Sequence, residues 1–150
     1  MGSAEMADEA IYRKVFPITG GDFDKAGEVS AQVKAILKTA GIDSSIIRRA
    51  AIASFEAEMN VVIHADKGEV DFMVTPEEII IEVKDQGPGI EDIDLAMKEG
   101  YSTASDDMRE MGFGAGMGLP NIKKSSDAFE IESQVGVGTS LKIVISHKKK

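Results

Sequence analysis

Apolar residues along this chain fall into blocks whose length and spacing predict an alternation of helices and strands. The pattern predicts a strand over about Ile11–Ile18 and a helix over about Phe23–Ala40. A longer helix follows from about Ser44 to Ala65, with Asp43 or Ser44 as its N-cap. Strands are predicted around Glu69–Thr75 and Glu78–Lys84, and the apolar run IIIEVKD leaves Asp85 where the second of these emerges. After a polar stretch come a short helix, about Leu119–Ser126, and two strands near Ala128–Gln134 and Thr139–Ser146, joined by the glycine turn VGVG. Helices concentrated early and strands in hairpin-like pairs predict an α+β fold. It is a two-layer α/β sandwich with a mixed, mostly antiparallel sheet and helices on one face.

Two glycine clusters stand out against that pattern, DQGPGI at Asp85–Ile90 and GFGAGMG at Gly112–Gly118. Glycines at this density mark tight turns or places where a backbone approaches a ligand closely. The second cluster runs into the helix at Leu119, whose free N–H groups and positive dipole end suit phosphate. It is not a phosphate loop, since no Gly-Lys-Ser/Thr closes it. Nor does a strand lead straight into it, as a dinucleotide fingerprint requires.

On the long helix, Glu56, Asn60 and His64 are spaced four apart and so lie on successive turns, beside an apolar row of Ile52, Phe55, Met59 and Val62. A glutamate can take a proton from an attacking hydroxyl or water. An amide oxygen suits a hard cation such as Mg²⁺ that also binds phosphate. Taken singly, Glu56 reads as an ordinary solvated residue, Asn60 as a hydrogen-bonded core residue, and Asp85 and Gly87 as a plain turn. Glu58, two residues from Glu56 and on another face, reads as solvated, and His64 as a histidine at the helix end, where its charge suits the dipole.

The ordered set Glu56-x3-Asn60, DQGPGI and GFGAGMG resembles the N, G1 and G2 boxes of the GHKL, or Bergerat-fold, ATPases and kinases. With the C-terminal GMGLPNIKKSSDAFEIESQVGVGTSLKIVI, the chain looks most like the small bacterial anti-sigma factor and serine-protein kinases of the RsbW and RsbT types. The likeness extends over about Tyr12–Ser146. It implies that Glu56 polarises the acceptor hydroxyl or water and that Asn60 ligates Mg²⁺. Asp85 would read the adenine amino group, with Gly87 and Gly89 letting the backbone pass the base. Ile90–Met117 would form a lid over the nucleotide. Gly112, Gly114, Gly116 and Gly118 would line the phosphates, and Thr139 would supply a hydroxyl near adenine.

The implied cofactors are ATP or ADP and Mg²⁺, and the implied activity is serine/threonine phosphorylation of a small antagonist or scaffold protein. A sigma factor or another regulator is the kind of partner expected, and a homodimer the kind of assembly. The alternative is a nucleotide-gated binding protein without catalysis, an anti-sigma-like regulator. A hydrolytic clamp is the less expected third reading, since these 150 residues hold no second domain to couple hydrolysis to motion.

Composition narrows the setting. The chain has 150 residues, 43% of them hydrophobic, which suits one ATP-binding domain over residues 11–147. Residues 1–10 read as a disordered segment or tag remnant, and residues 148–150 as a basic tail. With no cysteine, disulfides and thiolate metal sites are excluded, which fits a reducing cytoplasm. A net charge of −9 disfavours nucleic acid as a partner, and the pattern contains no membrane-spanning stretch or secretory signal.

Overall fold

A computed structural model describes residues 10–98 and 118–147. The expected lid, Ile90–Met117, lies mostly outside these, as do Gly112, Gly114 and Gly116.

Five strands form one sheet: β1 (Tyr12–Thr19), β2 (Lys67–Val74), β3 (Glu78–Gln86), β4 (Ala128–Gln134) and β5 (Gly138–Ser146). Their order is β1-β2-β3-β5-β4, and all four pairings are antiparallel, so no parallel pair stands among the described residues. On the inner face, alternate residues form a continuous apolar layer. Phe16 and Ile18 meet Val70 and Phe72, then Ile79, Ile81 and Val83, then Leu141, Ile143 and Ile145. The outer face carries charge, including the Arg13–Asp71 pair at 2.7 Å. β1 is an edge strand containing Pro17. Gly20 N–H donates to Asp66 O just beyond the β1–β2 ladder. By the two-residue alternation, the N–H that Pro17 lacks falls on the open edge, where it costs no ladder bond.

Three helices pack on the inner face: α1 (Glu28–Thr39), α2 (Ser44–His64) and, after the short α3 (Ile93–Ala96), α4 (Gly118–Ser125). Val33 and Leu37 of α1 and Ile122 of α4 are fully buried in the layer they share with the sheet. Asp43 caps α2, accepting from Ser45 N–H at 3.2 Å. Arg49 ties α2 to the α4–β4 connection, donating to Ser125 O and to Asp127, both at 3.0 Å. No helix among the described residues is long and apolar enough to cross a membrane.

Three expectations need correction. The helix expected over Phe23–Ala40 is a 3₁₀ turn, Phe23–Lys25, followed by α1; Gly27 separates them at φ +98°. The apolar row expected on α2 is only half buried, since Ile52 and Phe55 are exposed. The buried row is instead Ala50, Ala53, Ala57 and Val61, small residues that let α2 lie close to its neighbours. Glu58 is not solvated. It is 3% exposed and accepts from the amides of Gly27 at 3.1 Å and Val29 at 3.5 Å, so it caps α1 from the side of α2. The described part of the stretch after Ile90 contains α3, capped by Asp92, which accepts from Leu95 N–H at 3.0 Å.

Candidate functional site

The site has two ends, joined by the last turns of α2. At one end, α2 presents Glu56 and Asn60 four residues apart, and α4 begins against them. The room between is small. A β-carbon placed on Gly118 would sit 3.3 Å from Asn60 Oδ1 and 3.4 Å from Glu56 Oε2. Glu56 and Asn60 therefore converge on the first residue of α4, whose leading amides have no partner within the helix. Asn121, one turn into α4, donates to Glu56 Oε1 at a long 3.5 Å. Burial pushes the Glu56 carboxyl above its usual range, and the Asn121 contact opposes this. A carboxylate shifted in that direction is a stronger base.

At the other end, Asp85 sits near the end of β3, beside β5. Its Oδ1 accepts from Thr139 N–H at 3.0 Å. A side chain at Gly138 would strike Asp85 O at 2.0 Å, so β5 can approach only as glycine. Burial raises the Asp85 carboxyl as well, and the Thr139 amide opposes it. The chain then turns away through Gly89 at φ +75°, where any side chain would meet Gln134 O at 2.4 Å. Gly87 passes over the end of α2, with its Cα facing Ala65. Ala65 is five residues beyond Asn60, roughly 7.5 Å along the helix axis. A ligand touching both ends must therefore extend, as a base joined to a string of phosphates does.

The structure thus brings Glu56, Asn60 and Gly118 together, and separately Asp85, Thr139, Gly87 and Gly89. Two polar residues escaped the sequence reading, Asn121 and Ser133, and a third, Glu58, was read as solvated. Ser133 was open to detection, since it continues the inward alternation of Phe129 and Ile131 along β4. Asn121 had a weaker signal, three residues past the last glycine on the same face of α4.

Among the described residues, no three His, Cys, Asp or Glu side chains group to hold a metal ion. The site fits Mg²⁺ only in the manner of phosphate-assisted binding. Asn60 Oδ1, set beside the helix start, would supply one oxygen, and phosphates and water the rest.

Residues 46–149 match the family described as histidine kinase-, DNA gyrase B-, and HSP90-like ATPase. The chain belongs to this ATPase family. Family membership implies nucleotide binding. The chain is 30% identical over 113 residues to the serine/threonine-protein kinase RsbT of Bacillus subtilis, 73% of this chain and 79% of RsbT. It is 33% identical over 93 residues to the anti-sigma F factor of Caldanaerobacter subterraneus, 59% of this chain and 62% of that factor. The anti-sigma F factor of Clostridium beijerinckii is 32% identical over 129 residues, 81% of this chain and 85% of that factor. The solved SiaB–SiaC complex from Pseudomonas aeruginosa contains a chain of the same fold. Its TM-score is 0.62 over 95% of this chain and 93% of that chain, at 13% identity.

Proposed function

We propose that this ATPase-family protein is an ATP- and Mg²⁺-dependent serine/threonine kinase of a partner-switching system, phosphorylating a small antagonist or scaffold protein. The observation that carries the reading is the convergence of Glu56, Asn60 and the Gly118 end of α4, with Asp85 and Thr139 held together beyond the last turns of α2. Similarity to RsbT supports the kinase assignment, and the fold shared with a chain of the SiaB–SiaC complex is compatible with a protein partner.

Asp85 would accept a hydrogen bond from the adenine amino group, and the first amides of α4 would hold phosphate oxygens by charge and dipole. When bound, Mg²⁺ would neutralise phosphate charge, with Asn60 as its protein ligand. Glu56 would take the proton of the partner's serine or threonine hydroxyl as that oxygen bonds to the γ-phosphorus. The bond from phosphorus to the β–γ bridging oxygen breaks, and ADP leaves with the electron pair. The protein's contribution is position and charge rather than covalent chemistry.

Replacing Glu56 with Gln keeps the size and removes the base. Transfer of a labelled γ-phosphoryl group should fall by at least 10²-fold, with ATP affinity within a few-fold of wild type. Transfer undiminished in that variant would remove Glu56 from the mechanism.

The relatives named as anti-sigma F factors favour a second reading, in which nucleotide controls partner binding without useful catalysis. Partner affinity measured calorimetrically would then differ among the ATP, ADP and nucleotide-free states. Equal affinities would dismiss it.

A further inference from the structure

The helix layer carries an apolar ledge that the proposed reaction leaves unused, and the contacts of α2 fix where it lies. On one flank Glu58 reaches the Gly27 and Val29 amides of α1, and on the other Glu56 and Arg49 reach Asn121 and Ser125 of α4. Ala50, Ala53, Ala57 and Val61 are buried between them. A helix turns about 100° per residue, so the arc from flank to flank on the opposite side of α2 belongs to Arg48, Ile52 and Phe55. All three are exposed, Ile52 at 37% and Phe55 at 38%. Met59, next along that arc, is buried, and the ledge stops there. Two large apolar side chains one turn apart form a contiguous patch, and such patches mark contact sites.

The ledge runs into the proposed base. Arg48, Ile52 and Glu56 are spaced four apart, so a cation, an apolar side chain and the carboxylate follow one another at steps of roughly 6 Å. The chain carries a net charge of −9, yet the far end of the ledge is basic. Arg48 is exposed there, as are Lys123 and Lys124 in the last turn of α4, while Asp127 is paired with Arg49 and Asp43 caps α2. An extended chain advances about 3.3 Å per residue and turns alternate side chains to one face. With its hydroxyl at Glu56, such a chain sets its second residue over Ile52 and its fourth over Arg48. We propose that this ledge binds an extended segment of the protein substrate. Its phosphorylated serine or threonine has a large apolar residue two positions away and a carboxylate four positions away, on the same side. This rests on the kinase reading above and defines the substrate class for it.

The test measures kcat/KM for transfer of a labelled γ-phosphoryl group from ATP to short serine peptides. The peptides carry Leu or Gln at the second position and Glu or Lys at the fourth, in both chain directions. In one direction wild type should prefer Leu over Gln by about tenfold, the effect of partly burying that side chain. It should prefer Glu over Lys by about two- to fivefold, as an exposed charge pair gives. I52Q should remove most of the Leu preference, and R48E should reverse the charge preference. ATP affinity by calorimetry and the thermal midpoint should stay at wild-type values in both variants, because both residues are exposed and outside the nucleotide site. If ATP binds but transfer ignores the two positions, or the preferences persist unchanged in I52Q and R48E, another surface selects the substrate and the inference is overturned alone. Transfer to no peptide by a chain that binds ATP overturns the extended segment and leaves the kinase reading to folded partners. Failure of wild type to bind ATP overturns the nucleotide site and this inference with it.

Discussion

Removing the carboxylate of Glu58 tests the packing of α2 against α1 with a defined sign and size. Glu58 is buried, its Oε2 accepts from the Gly27 and Val29 amides, and its Oε1 has no hydrogen-bond partner. Glu58→Ala leaves those two amides at the start of α1 without an acceptor. Of the two bonds, that to Val29, at 3.5 Å, is the weaker. One buried donor left unpaired plus a small cavity costs about 2–3 kcal/mol. For a chain of this length that lowers Tm by roughly 5–10 °C.

Glu58→Gln keeps an acceptor for Gly27 and separates charge from shape. Burial raises the Glu58 carboxyl above its usual range, with the amide bonds opposing. Between its unfolded and folded values the folded state therefore holds the extra proton. The residue's contribution is then fullest below the unfolded value and declines as pH rises through the folded one. Glutamine has no such dependence, so the cost of Glu58→Gln should shrink as pH rises from about 4 to 8. Urea unfolding of the three proteins at several pH values measures both effects. A Glu58→Ala midpoint equal to wild type, or a Glu58→Gln cost that grows with pH, would refute the assigned environment.

Two further outcomes follow from the same geometry. Gly118→Ala places a β-carbon 3.3 Å from Asn60 Oδ1 and 3.4 Å from Glu56 Oε2. Phosphoryl transfer should fall by up to about tenfold through a displacement of a few tenths of an ångström. Stability, read by thermal unfolding, should hold or rise, by up to about 1 kcal/mol from helix propensity. Asp127 is held below the usual carboxylate range, first by the Ser146 amide and then by Arg49. Its contribution is present at neutral pH and is lost as pH falls through the folded value. Asp127→Asn should cost less than about 1 kcal/mol at pH 7, because the pair is partly exposed, and nothing measurable near pH 2.

Much of this site could be read from the chain because its parts sit at element ends, where residue type is dictated locally. Asp85 ends an apolar strand run, and Gly118 opens a helix. Glu56 and Asn60 share a helix face by spacing alone. What stayed hidden depends on neighbours distant in sequence. Residues two apart on a helix do face differently, so Glu58 was correctly separated from Glu56. Its face, however, turns toward α1 rather than water, and no local pattern carries that fact. Ile52 and Phe55 failed as core for the converse reason: size marks them as apolar, yet alanines win the closest contacts of α2. Gly27 splits a helix that period alone would continue, because its positive φ is set by the path of the chain into α1.

The central claim is that Asp85 and the Glu56–Asn60–Gly118 cluster are two ends of one nucleotide site. Calorimetric titration of wild type and Asp85→Asn with ATP and ADP, with and without Mg²⁺, tests it most directly. Wild type should bind ATP more tightly with Mg²⁺. The variant, which loses a charge-assisted bond to the base, should bind at least about tenfold more weakly. Equal affinity in the two proteins, or no binding by wild type, would contradict the account.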